Sequence, residues 1–492
     1  MLFHLKKEAN YTYTENGALT YASTMDSCLD LFATAGGLRN AKEEEIVRRF
    51  VRAYAENADI AMKILFYARD VRGGLGERRL FRIVLRFLCE NHKESVVKNL
   101  DRIAQLGRFD DFLALMDTAC EKEAVDYLKA QLYKDREAVQ RGERDISLLA
   151  KWLPSVNTSD REKVRLGRKL AKAFGMSEKD YRKTLSILRK KIDILENYLR
   201  ETDYTFAYEK QPGKALLKYQ KAFCRHDGER YGAFMNRVEK GEAVLHTDTL
   251  MPYEILRPFY KGWKCIGQDV SEAEVKALET TWYAQKDYAG EHNSLVVIDG
   301  SGSMYGGGNP MPALVAQSLG LYFAEKNTGA FANHFITFSA KPKLVEVKGG
   351  SLLEKLQYIS TFNEVADTNI RSVFELILRT AVKNRIPQKD MPERIFIVSD
   401  MEFNYCTTDN SVTNFEYAKK MFQKAGYRIP KIVFWNVASR TGQLPVTKNE
   451  QGVTLVSGCN ARLFEQVISD HTDPYEYMLK IVDSERYEGI VA

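Results

Sequence analysis

Ser294-Leu-Val-Val-Ile298, running straight into Asp299-Gly-Ser301-Gly-Ser303-Met304, decides how the second half of this chain folds. Four consecutive large aliphatics without alternation suit a strand buried on both faces, the habit of parallel sheets. The same signature recurs at residues 334–338, 344–347, 394–398, 431–435 and 453–456. Between these runs, residues 312–325, 352–359, 369–383 and 415–425 carry helical spacing, and 462–468 and 475–482 close the chain as helices. Strands alternating with helices predict an α/β domain over residues 293–492, Rossmann-like, with a mainly parallel sheet and helices on both faces. In such sheets ligands sit in the loops at the carboxyl ends of the strands.

Three of those loops carry oxygen donors: Asp299-Gly-Ser301-Gly-Ser303, Asp367-Thr368-Asn369 and Ser399-Asp400. A hard cation such as Mg²⁺ takes about six oxygen ligands near octahedral geometry and usually keeps several waters. Two hydroxyls at i and i+2 with glycine between them let one tight loop aim both at a single ion. Asp299, Ser301, Ser303, Thr368 and Asp400 are therefore the candidate ligands of a divalent metal ion, Mg²⁺ or alternatively Mn²⁺. An open position remains for an acidic group of a protein partner. Taken alone, D-x-S-x-S also reads as a flexible Gly/Ser turn. The apolar strand before it, with Thr and Asp arriving in order at the other two loops, argues for the metal. This trio resembles the metal-ion-dependent adhesion site (MIDAS) of von Willebrand factor A (vWA) domains, over about residues 293–470. The Tyr305-Gly-Gly-Gly-Asn309 insert lengthens the first loop and reads as a connector.

Before residue 293 the period is helical. Residues 44–69 space Ile46, Phe50, Tyr54, Ile60, Ile64 and Phe66 three and four apart, and Gly73, Gly74 and Gly76 then stop the run. Leu80, Ile83, Val84, Phe87 and Leu88 mark the next helix, and the pattern continues to about residue 240. A Pro-containing stretch at 251–258, a helix at 271–283 and a linker at 287–293 follow. Many helices with short connections predict an all-α helical repeat or ring of HEAT type over residues 1–286. Thr14-Glu-Asn-Gly-Ala-Leu19, Phe66-Tyr-Ala-Arg-Asp70 with Arg72-Gly-Gly-Leu-Gly-Glu-Arg78, Gly107-Arg-Phe-Asp-Asp111 and the segment from Tyr181 to Lys190 resemble TROVE, Ro autoantigen-like proteins. The resemblance covers most of residues 10–285 and implies a HEAT-like ring joined to a vWA domain. It further implies binding of structured or misfolded non-coding RNA, with a single-stranded end in the ring and duplex outside.

The charge distribution gives RNA a separate argument. The chain carries a net +6, yet residues 293–492 hold 21 basic and 21 acidic residues, so the excess lies in the first half. Residues 161–200 hold 13 Lys/Arg against 5 Asp/Glu. Arg165, Arg168, Lys169, Lys172, Lys179, Arg182, Lys183, Arg189, Lys190 and Lys191 recur at helical spacing around Tyr181. Such a strip suits phosphate contacts and duplex recognition by shape, although a solvated helix face is the common meaning of a charge run. Arg72, Arg78 and Arg79 form a lesser cluster, and Arg69 with Asp70 reads as a structural ion pair.

No phosphate-binding loop, nucleophile elbow or His-Glu-x-x-His string is present. Gly73-Gly-Leu-Gly76 lacks the strand a dinucleotide fold requires. The histidines, His471 among them, form no cluster, and His334 at a strand start reads as a packed residue. Seven scattered cysteines (Cys28, Cys89, Cys120, Cys224, Cys265, Cys406 and Cys459) lack zinc or redox spacing and fit a reducing cytoplasm. The N-terminus has no signal-peptide core and no run spans a membrane. These readings converge on a multidomain, non-enzymatic, monomeric cytoplasmic RNA-binding scaffold, with a protein–protein adaptor lacking RNA as the alternative.

Overall fold

The computed structural model describes residues 1–492 apart from 144, 193, 263, 266, 268, 340, 363–367, 405–411 and 469–471, so Cys406 and His471 lie outside the described residues. The first half is built of helices whose caps explain where they stop. The long stretch expected at 44–69 is two helices, Glu43–Glu56 and Ala58–Arg69. Asn57 separates them: its backbone is extended and its side chain accepts from the Ile60 N–H, so it caps the second helix instead of prolonging the first. Arg78–Asn91, Glu121–Gln140, Arg161–Ala173, Glu178–Lys191, Gly213–His226, Gly228–Glu239 and Glu272–Tyr283 continue the series. Two antiparallel hairpins interrupt the helices: β1 (Tyr11–Tyr13) with β2 (Leu19–Tyr21), and β3 (Tyr260–Lys261) with β4 (Lys264–Cys265). Strands this short leave no readable period in the sequence.

The second half is organised by a six-stranded sheet of β5 (Ser294–Asp299), β6 (His334–Phe338), β7 (Leu344–Glu346), β8 (Arg394–Ser399), β9 (Lys431–Asn436) and β10 (Val453–Ser457). Their order is β10-β9-β8-β5-β6-β7, and every pair is parallel except the edge pair β6/β7. The unbroken apolar runs follow from this placement, because β5, β8 and β10 are buried at every residue. The chain adds β6 and β7 on one side of β5 and β8, β9 and β10 on the other, and this switch in strand order between the parallel β5 and β8 opens a crevice at their carboxyl ends. Ile298 lies opposite Val398, so Asp299 and the Ser399-Asp400 pair emerge side by side. Helix Pro312–Lys326 is buried on all sides from Pro312 to Ala324. It lies between β5 and β8 on one side and helix Pro252–Leu256 on the other, which accounts for its lack of a polar face.

Both ends of the helical half pack on the sheet half. Helix Ser27–Thr34 abuts β10, and the Gly36 N–H donates to Ser457 Oγ at 2.9 Å. A Cβ on Gly36 would stand 2.5 Å from the Ser457 and Gly458 backbone, so only glycine permits this approach. One apolar core runs from Leu29, Phe32 and Phe66 through Val296 to Trp435 and Phe464. The chain's last residues return to the helices: Asn99 Nδ2 donates to the Val491 carbonyl at 2.6 Å.

Arg69 and Asp70 do not pair with each other. Arg69 meets Asp111 at 2.7 Å, and Arg82 meets the other oxygen of the same carboxylate at 2.7 Å. Asp70 accepts from Arg486, from the Tyr487 hydroxyl at 2.9 Å and from the Arg72 N–H at 2.9 Å. Adjacent helical residues point in different directions, so each charge finds a distant partner. Burial would raise the Asp70 carboxyl, but Arg486 and the backbone N–H groups of Arg72 and Gly73 hold it below its ordinary value. Gly74 lets this turn close, since a Cβ there would lie 1.9 Å from the Tyr67 carbonyl oxygen. Among the described residues no helix is long and apolar enough to cross a membrane.

Candidate metal centre and nucleic-acid interface

The crevice between β5 and β8 gathers four of the five expected ligands. Asp299, fully buried, accepts the Ser301 N–H at 2.9 Å and the Ser399 hydroxyl at 2.5 Å. Ser301 and Ser303 bring their hydroxyl oxygens to 3.1 Å of each other, as expected of hydroxyls at i and i+2. Asp400 accepts the Glu402 N–H at 3.1 Å, and the Ser303 hydroxyl stands beside it. Thr368 is placed differently. Its buried hydroxyl lies 3.1 Å from both the Glu402 carbonyl and Asn404 Oδ1, tying it to the loop that follows Asp400. Asp367 lies outside the described residues.

The electrostatics of this cluster are short of positive charge. Burial pushes the Asp299 carboxyl up to about 7, and the charge of Asp400 adds to the effect against hydrogen bonds from Ser399 and Ser301. Burial raises Asp400 as well, partly offset by Ser303, the Glu402 N–H and Arg440. Asp400 Oδ2 is buried without a hydrogen-bond partner, and the Arg440 guanidinium stands 3.5 Å from it. Carboxylate and hydroxyl oxygens, with no thiolate or imidazole, make a donor set for a hard cation. Among the described residues no group of three or more His, Cys, Asp or Glu is placed to hold a metal, so any ion here depends on the serine hydroxyls and water to complete its shell.

Sequence reasoning missed what braces the cluster. The β1–β2 turn lies over the loop after Asp400: the Thr14 hydroxyl donates to the Phe403 carbonyl at 2.6 Å and Asn16 Nδ2 to the Glu402 carbonyl at 2.6 Å. The buried Glu402 carboxylate accepts the Glu15 N–H at 2.9 Å, Gln443 Nε2 at 2.7 Å and the Thr441 hydroxyl. Arg440 spans the site, paired with Glu15 at 2.6 Å while facing Asp400. No local pattern announces such contacts, whose partners lie from 39 to 425 residues apart. The glycine insert rests against the helical half, with the Asn309 N–H 3.5 Å from Asn40 Oδ1.

Tyr181 and the basic residues around it divide into three kinds. Tyr181 is fully buried with its hydroxyl on the Pro154 carbonyl at 3.0 Å, so it is a core residue and not a stacking platform. Arg189 is also structural, donating to the Ala150 carbonyl, the Leu153 carbonyl and Ser155 Oγ. Both face inward because the strip's buried stripe of Tyr181, Leu185 and Leu188 passes beside them. Arg165 and Lys169 are paired with Asp117, and Arg168 with Glu178 at 3.2 Å. Lys172, Lys179, Arg182, Lys183, Lys190 and Lys191 are exposed, with no acidic partner among the described residues. Arg182 and Lys183 stand at the mouth of a 410 Å³ cleft that also holds Ser155, Asn157 and Arg200.

Residues 14–141 and 123–288 match the family model described as "Domain of unknown function (DUF2828)". The chain belongs to the DUF2828 family. In this DUF2828 protein, residues 293–486 match a second family model, "Domain of unknown function (DUF7788)". It is 28% identical over 517 residues to the uncharacterized protein L728 of Acanthamoeba polyphaga mimivirus, an alignment covering 96% of this chain and 88% of the relative. Among solved structures it is similar to the Ro (RSR) protein of Deinococcus radiodurans, at 13% identity with a TM-score of 0.43, covering 95% of this chain and 100% of that one.

Proposed function

We propose that this DUF2828 protein is a non-enzymatic RNA-binding scaffold of Ro/TROVE type. Its basic helices hold structured or misfolded non-coding RNA, and its vWA-type half recruits a protein partner. The carrying observation is the set of six exposed cations on helices Arg161–Ala173 and Glu178–Lys191 that have no acidic partner among the described residues. An array of unneutralised charge beside a cleft suits phosphates, whose binding releases counterions. Asp299, Ser301, Ser303 and Asp400, with Thr368 from the neighbouring loop, would hold Mg²⁺ or Mn²⁺. When bound, that ion supplies an open coordination site for a partner's carboxylate.

Titration of a structured RNA hairpin against the full chain tests the reading. Binding that weakens steeply with salt and is lost when Arg182 and Lys183 become glutamate is expected. Salt-insensitive binding, or none, refutes it. The neutralisation of Arg165, Arg168 and Lys169 by acids favours a second reading, a protein–protein adaptor without RNA. Protein purified from its host free of nucleic acid, by its absorbance at 260 relative to 280 nm, would favour the adaptor.

A further inference from the structure

A second cleft, of 670 Å³, lies between helix Gly213–His226, helix Pro252–Leu256 and helix Glu272–Tyr283, away from both sites described above. We propose that it binds a nucleoside monophosphate unit. Its volume falls within the range of about 300–1,000 Å³ typical of small-molecule sites. Leu217, Leu250, Tyr253, Tyr260 and Leu278 give it an apolar and aromatic lining. Both tyrosine hydroxyls are engaged, Tyr253 with Arg39 and Tyr260 with Gln317, so the two side chains offer the cleft ring surface and not a polar tip. Flat, apolar ring surface suits a planar heterocycle.

A buried polar atom in the lining is unspent. Gln220 is 4% exposed and its Oε1 has no hydrogen-bond partner. Its Nε2 donates to the Glu274 carbonyl at 2.8 Å, so flipping the amide would face oxygen against oxygen and is excluded. A buried acceptor left open is costly and calls for a donor. A planar base N–H or exocyclic amino group meets that demand in a flat apolar slot, whereas an inositol ring is puckered and hydroxyl-rich and a small inorganic anion has no apolar face to lay against the tyrosines. Cations complete the site. Lys214 and Lys221 are partnered by Glu254 at 3.2 Å and Glu274 at 4.0 Å, whereas Lys218, whose ammonium donates to the Tyr219 hydroxyl at 2.7 Å, and Arg257 line the cleft with no acidic partner among the described residues. A base against Gln220 and the tyrosines, with its phosphate toward Lys218 and Arg257, meets the open acceptor and the two cations that no carboxylate neutralises among the described residues. The phosphate-bearing unit is either a free nucleotide or the end of an RNA strand; only the second source rests on the RNA reading above.

Calorimetric titration of the full chain with each of the four nucleoside 5′-monophosphates, and with inorganic phosphate as the control, tests the proposal. At least one monophosphate binds and inorganic phosphate does not displace it at equal concentration. Lys218→Ala with Arg257→Ala, both exposed and expected to fold normally, weakens binding at least tenfold, and so does Gln220→Leu. No binding of any monophosphate at millimolar concentration overturns the proposal, as does binding that the exposed double variant leaves unchanged. Arg182→Glu with Lys183→Glu, which tests the basic helices, leaves monophosphate affinity intact, so the two readings fail separately. Once binding is seen, competition by a single-stranded hexanucleotide identifies an RNA end as the source, and absence of competition identifies a free nucleotide.

Discussion

Replacing Arg486 by alanine tests whether the chain's end locks onto the helical half through Asp70. The Asp70 carboxylate is fully buried and accepts from the Arg486 guanidinium, the Tyr487 hydroxyl and the Arg72 N–H. Arg486→Ala strips two charge-assisted hydrogen bonds, each of about 1.5–3 kcal/mol. The Arg486 side chain is 40% exposed, so water enters part of the vacated space. The net loss is then about 2 kcal/mol. Asp70→Asn costs more, about 3–4 kcal/mol, because one amide oxygen cannot serve donors that two carboxylate oxygens served. The double variant resembles Asp70→Asn alone, giving a coupling of about 2 kcal/mol in the cycle. Urea unfolding of the full chain at pH 7, followed by circular dichroism, measures all three. The sign with pH follows from the lowered Asp70 carboxyl. The pair stabilises fully above the unfolded carboxyl value of about 3.9 and fades as pH falls through the lower folded value. The deficit of Arg486→Ala therefore holds from neutral pH down to about 5 and shrinks only below about 4. A deficit under about 0.5 kcal/mol at pH 7, the noise of an ordinary surface substitution, refutes the lock.

Four further outcomes are expected. Mg²⁺ or Mn²⁺ raises the melting temperature more at pH 8 than at pH 6, because a carboxyl pushed up to about 7 at Asp299 holds a competing proton at the lower pH; equal gains at both contradict it. Arg440→Ala, by removing a guanidinium 3.5 Å from Asp400, tightens Mn²⁺ several-fold in spin-resonance titrations, and Asp400→Ala abolishes it. Neutralising Lys190 and Lys191 lowers the log–log salt slope for duplex RNA by nearly two, about 0.9 per cation, whereas neutralising the acid-paired Arg165 and Lys169 changes it by less than half as much. Tyr181→Phe loses its hydrogen bond to Pro154 and about 1 kcal/mol of stability, with RNA affinity unchanged.

The sheet and its ligand loops were legible because their signals are local. A strand buried on both faces must be continuously apolar, so β5 and β8 declare themselves within six residues each. Hydroxyls two apart after such a strand place Ser301 and Ser303 together without help from the rest of the chain. The break at Asn57 was hidden because the apolar spacing continues through it and only the cap geometry reveals it. The charge of residues 161–200 was countable, but its neutralisation was not, since Asp117 lies 48 residues from Arg165. Arg440 and Glu15, 425 positions apart, carry no mark of their meeting. Gln220 looks in sequence like any polar helix residue; its unpaired oxygen exists only once Glu274 has claimed the amide nitrogen.

The turn that lies over the Asp400 loop also sets a timetable for synthesis. Thr14 leaves the ribosome long before Phe403, its hydrogen-bond partner 389 positions later. At about 5–20 residues per second the interval is roughly 20–80 s. Throughout it the β1–β2 ribbon has an unpartnered edge, the kind of surface that invites pairing with other nascent chains. Closure over the Asp400 loop must therefore await synthesis of residues 402–444, so the first segment made is among the last to find its place.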